Sequence, residues 1–112
     1  MHTKIINNDD YTQIDTSGRI DASTVLAFEN EAIPCIDKCA PILIINLKDV
    51  EYISSAGLRA ILKIAKITKE KNISLACVSL QTAVFDVFRI SGFNSIVKIF
   101  DDTNEALASL MG

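Results

Sequence analysis

Asp49-Val50-Glu51-Tyr52-Ile53-Ser54-Ser55-Ala56-Gly57-Leu58-Arg59-Ala60-Ile61-Leu62 is the stretch whose reading decides the fold. An apolar run, Ile42 to Leu47, ends just before it, and two serines and a glycine lead into apolar residues at helical spacing. The pattern is a strand-to-helix turn. The first N–H groups of such a helix have no partner within it, and the peptide dipoles add partial positive charge at the same place. A serine there caps the helix or carries an anion such as phosphate.

Upstream, Lys4 to Asn7 and Tyr11 to Ser17 read as an antiparallel hairpin turned at Asn8-Asp9-Asp10, with Gly18 breaking the second strand. Asp21 is the expected cap of a helix whose inner stripe contains Ala22, Val25, Leu26, Ala32 and Ile33, with a kink or end at Pro34 and a last turn reaching Lys38 at most. Pro41 then opens Ile42 to Leu47, apolar on both alternating faces as in the middle strand of a parallel sheet. Asp49 and Tyr52 are placed in the loop that follows, Tyr52 with its ring partly packed and its hydroxyl in water.

Downstream, a helix from about Ser55 to Lys71 buries Leu58, Ile61, Leu62, Ala65 and Thr68 and turns Arg59, Lys63, Lys66 and Glu70 to solvent, with Asn72 closing it. Ile73 to Val78 is a second buried strand. Ser79 is the expected cap of a third helix facing Ala83, Val84, Val87, Phe88 and Ile90 inward and ended by Gly92. Ile96 to Phe100 is the last strand, and Asp102-Thr103-Asn104-Glu105 has capping-box spacing ahead of Ala106, Leu107 and Leu110. The order β-β-α-β-α-β-α-β-α predicts an α/β fold: a mixed, mostly parallel sheet of about five strands packed with about four helices.

Composition narrows the function classes. With 112 residues, 49% of them hydrophobic and 22% charged, the chain forms one domain, residues 1–112, with a core of its own. A net charge of −3 builds no broad field for nucleic acid. Its longest apolar runs fall far below the roughly 20 residues of a membrane span, and Met1-His2-Thr3-Lys4 lacks the core of an export signal, so a cytoplasmic location is expected. Three cysteines then read as reduced thiols. Cys35 and Cys39 have i, i+4 spacing, but no histidine lies near them, so neither a metal nor any cofactor is expected.

A serine at a strand-to-helix turn also raises the question of a hydrolase. Ile53-Ser54-Ser55-Ala56-Gly57 has only the second glycine of a nucleophile elbow, and the single histidine, His2, lies at a terminus expected to be loose. No Gly-x-x-x-x-Gly-Lys or Gly-x-Gly-x-x-Gly loop occurs, which leaves nucleotide binding only by some other surface. An enzyme is not expected.

Tyr52 to Leu62 resembles the central signature of the STAS domains, the anti-sigma factor antagonists of bacteria. Gly18-Arg19-Ile20-Asp21-Ala22 is similar to the family's turn into its first helix, and Ser91-Gly92-Phe93 to the turn after its third. The resemblance implies that the unphosphorylated protein binds an anti-sigma factor that is also a serine kinase, freeing a sigma factor. The serine two positions before the central glycine, Ser55, is the implied phosphorylation site that ends binding, and a metal-dependent serine phosphatase the implied partner that restores it. Where many phosphorylated relatives carry an acidic residue, this chain has Ser54, the rival site. The implied partner surface comprises Asp21, Ser54, Ser55, Gly57 and Arg59. The alternative is a STAS module of a signalling scaffold or transport accessory subunit, binding independently of Ser55.

Overall fold

In the computed structural model, which describes residues 1–111, the hairpin comes first. β1 (His2–Asn7) pairs antiparallel with β2 (Thr12–Ile20), Lys4 opposite Asp15 and Ile5 opposite Ile14. Asn8 makes the turn: its Oδ1 accepts the N–H groups of Asp10 and Tyr11 at 3.0 and 2.9 Å. Then follow α1 (Val25–Ile36), β3 (Ile42–Ile53), α2 (Ser55–Glu70), β4 (Ser74–Val78), α3 (Thr82–Ile90), a 3-10 turn (Phe93–Ser95), β5 (Lys98–Phe100) and α4 (Thr103–Met111).

The strands lie side by side in chain order, β1-β2-β3-β4-β5, and β2 to β5 are parallel. Right-handed crossovers between successive neighbours return on the same side, so α1, α2 and α3 share one face of the sheet. Between them and the sheet lies the main core, with Ile14, Leu43, Ile45 and Leu47 meeting Phe28, Ile61, Ile64 and Phe88. Being no crossover, α4 is free to take the opposite face, where Ala106 covers Ile42, Ile44, Ala76 and Val78. β3 is thus buried on both sides, which is why Ile42 to Ile45 is apolar without interruption. Asn72, at φ 59°, closes α2 as the sequence predicts, and Gly92, at φ 77°, takes the left-handed position after α3.

Several boundaries differ from the sequence expectation. Gly18 bends β2 without breaking it: at φ 95° it sits beside a shift of register, and pairing resumes at Arg19 and Ile20. β3 runs six residues past Leu47 to Ile53, so Asp49 and Tyr52 are strand residues and not loop. His2 is in a strand opposite Ser17, not at a loose end. α1 starts at Val25, not after Asp21, which leaves Ala22 outside the helix and Leu26 68% exposed. The helix passes through Pro34, in its final turn, and ends at Ile36.

Ser79 does not cap α3. It adopts φ 61° and donates its Oγ to the Asp101 carbonyl at 3.0 Å, and α3 begins only at Thr82, with Ala83 and Ile90 facing solvent. The 3-10 turn after Gly92 occupies the chain up to Ser95, so Ile96 is exposed and β5 is confined to Lys98–Phe100. Of the capping box, the arm from the Glu105 N–H to Asp102 Oδ1 is formed at 2.8 Å; among the described residues the return arm is not.

Candidate partner-docking site

The two strands that carry the decisive stretch outrun the rest of the sheet. β3 pairs with β4 only as far as Asn46, opposite Val78, but with β2 to its last residue, Ile53 opposite Ile20. Beyond Asn46 the pair is a two-stranded ribbon with Lys48, Asp49, Glu51 and Tyr52 exposed and Val50 and Ile53 in the core. At its tip the Ser54 N–H donates to the Ile20 carbonyl at 2.9 Å, and the chain turns into α2.

Ser54 is the N-cap, extended at φ −94° and ψ 175°, and its Oγ accepts the Gly57 N–H over a long 3.4 Å. Ser54 is half-buried, whereas Ser55, the first helical residue, is exposed, and its hydroxyl has no hydrogen-bond partner among the described residues. Gly57 is buried against the end of β2: a Cβ there would lie 2.6 Å from Ile53 Cγ1 and 2.8 Å from the Ile20 carbonyl oxygen. Its part is to let strand end and helix start touch, which holds the serines at the tip. Arg59, one turn beyond Ser55, is exposed and makes no ion pair among the described residues.

Asp21 borders the same tip, one residue past Ile20, but its carboxylate does not cap α1. Oδ1 accepts the N–H of Ser23 at 3.0 Å and the hydroxyl of Ser23 at 2.6 Å, closing a turn ahead of the helix; the N-cap of α1 is Thr24, whose side chain makes no capping bond. The bonds from Ser23, hydroxyl first, hold the carboxyl below its ordinary 3.8 against a smaller opposing effect of desolvation, with Thr24 and Arg19 adding to the lowering.

Arg19 was not singled out in the sequence as a site residue. Its guanidinium carbon lies 4.2 Å from the centre of the Tyr52 ring, and its Nε is 3.6 Å from Asp21 Oδ2. Arg19 and Tyr52 are register partners across the ribbon, a relation hidden while Gly18 reads as the strand's end and Tyr52 as loop. Alternation with buried Ile20 is the signal that would have turned Arg19 outward.

No group of three or more His, Cys, Asp or Glu residues is placed to hold a metal among the described residues, and no helix there is long and apolar enough to cross a membrane. Cys35 and Cys39 are half-buried and Cys77 is fully buried.

A five-stranded mixed sheet packed with four helices is the framework of a STAS domain. The family's pattern, described as the STAS domain, matches residues 2–106, and the chain belongs to the STAS-domain family of anti-sigma factor antagonists. BtrV of Bordetella bronchiseptica, described as an anti-sigma factor antagonist, is 33% identical over 92 residues, 82% of this chain and 79% of that one. The anti-sigma-B factor antagonist of Bacillus subtilis is 27% identical over 99 residues, 88% and 90% of the two chains. Among solved structures, the anti-sigma factor antagonist SpoIIAA superposes in its unphosphorylated form with a TM-score of 0.80, covering 99% of this chain and 97% of that one. Its phosphorylated form, a Bacillus cell fate determinant, gives 0.73 over 99% and 100%. At 16% and 15% identity these two speak for the fold.

Proposed function

We propose that this protein is an anti-sigma factor antagonist controlled at Ser55. In its unmodified form it binds an anti-sigma factor serine kinase through the ribbon tip and the start of α2, and so frees a sigma factor. The kinase transfers the γ-phosphoryl group of ATP to Ser55 Oγ, leaving ADP. A metal-dependent serine phosphatase then hydrolyses the phosphoserine to serine and inorganic phosphate. The chain is substrate and ligand of these enzymes, not an enzyme; nucleotide and metal belong to the partners, and the cycle runs in the cytoplasm.

The observation that carries this reading is the Ser55 hydroxyl, exposed and without a partner among the described residues, at the first residue of α2. The neighbouring Ser54 is half-buried and its Oγ is engaged as the cap, which favours Ser55 over its rival. Phosphate on Ser55 adds about 1.5 to 2 negative charges. Within this domain the helix start stabilises such a charge by roughly 0.3 to 2 kcal/mol, with Arg59 a turn away, so the fold is retained. Against a docked partner the same dianion must lose its water. Left unpaired there it costs several kcal/mol, and each 1.4 kcal/mol is tenfold in affinity, so binding falls about a hundredfold or more.

The test uses the serine-kinase anti-sigma factors of the source cell, each expressed singly. Incubation of one of them with the chain and ATP is expected to yield a single phosphopeptide modified at Ser55, and Ser55→Asp to lose the binding that wild type shows. Modification only at Ser54, or equal binding of Ser55→Asp and wild type, overturns the reading.

A further inference from the structure

An exposed arginine ordinarily moves among many rotamers, and fixing one costs side-chain entropy. Arg19 is 54% exposed and yet held on two sides. The Tyr52 ring, itself 40% exposed, lies under one face of the guanidinium at 4.2 Å, and Asp21 takes the Nε edge at 3.6 Å. The two Nη groups have no acceptor among the described residues. What remains is a planar pair of N–H donors, one face shielded from water, standing next to Ile20, whose carbonyl holds Ser54 in place. Parallel donors of this kind match the two oxygens of a carboxylate, and the partial desolvation by tyrosine strengthens such a bond.

We infer that Arg19, stacked on Tyr52 and anchored by Asp21, presents its Nη pair to an aspartate or glutamate side chain of the anti-sigma partner and is a determinant of which partner is bound. The inference rests on the docking surface proposed above. Asp21 serves it as a positioning residue: its carboxylate lies at ion-pair distance from Nε and leaves the Nη edge free. Lysine cannot replace the arginine, because an ammonium supplies no planar fork and stacks less well. The neutralising carboxylate of Asp21 also leaves the cluster with little net charge, so the recognition is of geometry and not of bulk charge.

The experiment measures affinity for each serine-kinase anti-sigma factor of the source genome, expressed singly, using wild type, Arg19→Ala, Arg19→Lys, Arg19→Glu and Ser55→Asp. The melting temperature of each variant is measured in parallel. Arg19→Ala is expected to bind the cognate kinase about tenfold or more weakly with an unchanged melting temperature, Arg19→Lys to recover little of that loss, and Arg19→Glu to be weaker still. One Asp→Lys or Glu→Lys change on the kinase surface is expected to restore binding to Arg19→Glu alone. If Arg19→Ala binds within about twofold of wild type while Ser55→Asp loses binding, this inference fails and the docking surface stands. Full recovery by Arg19→Lys overturns the fork. Should no kinase bind wild type, or Ser55→Asp bind as well as wild type, the proposed function fails and takes the inference with it.

Discussion

Gly57 and Ile20 touch so closely that a methyl group on Gly57 would lie 2.8 Å from the Ile20 carbonyl oxygen and 2.9 Å from its Cγ2. The same carbonyl accepts the Ser54 N–H, so one backbone atom fixes both the cap and the third residue of α2. Gly57→Ala therefore forces strand end and helix start apart. Overpacking against backbone costs up to about 3 kcal/mol, and the better helix propensity of alanine returns roughly 1 kcal/mol. The expected net loss is about 2 kcal/mol in urea unfolding, with weaker partner binding because the serines move. A midpoint equal to or above that of wild type would show that the contact is slack.

The two serines separate by their bonding. Ser54 Oγ caps α2 over 3.4 Å, so Ser54→Ala is expected to cost about 0.5 to 1 kcal/mol, at the low end for a cap. Ser55 Oγ bonds nothing among the described residues, and Ser55→Ala is expected to stay within about 0.5 kcal/mol of wild type. Thermal or urea unfolding of both variants checks this. Equal losses at the two positions would mean that Ser55 has a structural bond after all.

How much of this was legible in the sequence follows from the kind of signal each element carries. Periodicity is strong where one face or both are buried, and so β3 from Ile42 and α2 from Ser55 stand where their apolar spacing puts them. It fails in the ribbon beyond Asn46: there β3 has one neighbour strand, a register shift upsets the alternation, and Val50 and Ile53 are three apart on the core side. Gly18 and Asp21 mislead for a related reason. A glycine at positive φ and an aspartate ahead of a helix each fit two local structures, bulge or break and turn or cap, and only the partner strand and Ser23 decide between them. The Arg19–Tyr52 stack was out of reach because it exists only once β2 runs past Gly18 and Tyr52 is read as strand.

Asp21 should report its turn through its titration. Its carboxyl is held below 3.8 chiefly by the Ser23 hydroxyl and N–H. A folded-state pKa below the unfolded value means that the carboxylate contributes stability above about 3.8, and that this contribution is lost as the pH falls through the folded value. Ser23→Ala removes the largest cause and is expected to raise the Asp21 pKa toward 3.8, as followed by carboxyl carbon shifts in NMR. No movement in Ser23→Ala would place the cause elsewhere.

The thiols should be inert until the chain unfolds. Burial lifts Cys77 to about 12 and Cys35 to about 11 from an ordinary 9.0, and Cys39 is raised by burial too. Two units on Cys35 lower its thiolate fraction about a hundredfold at mildly alkaline pH, and the thiolate is the reactive form. Alkylation at pH 8 is expected to label Cys35 about a hundredfold more slowly in the native protein than in urea, and Cys77 last of all. Rapid native labelling of Cys77 would contradict its place between the sheet and the helices.

Thr3 and Thr16 face each other across β1 and β2, and each buries an Oγ1 that has no hydrogen-bond partner among the described residues. Thr16 is 3% exposed. A buried hydroxyl without a partner costs roughly 1 to 3 kcal/mol, and valine has nearly the same shape without that cost. Strand propensity does not oppose the change, since both residues are β-branched. Thr16→Val is therefore expected to stabilise the fold by about 1 kcal/mol in urea unfolding. Thr3→Val on top of it should add less, because the second hydroxyl is nearer the sheet edge and readily hydrated when the strand frays. Loss of stability in Thr16→Val would instead reveal a hydroxyl-to-hydroxyl bond across the strands in solution, and the double variant would then recover most of that loss.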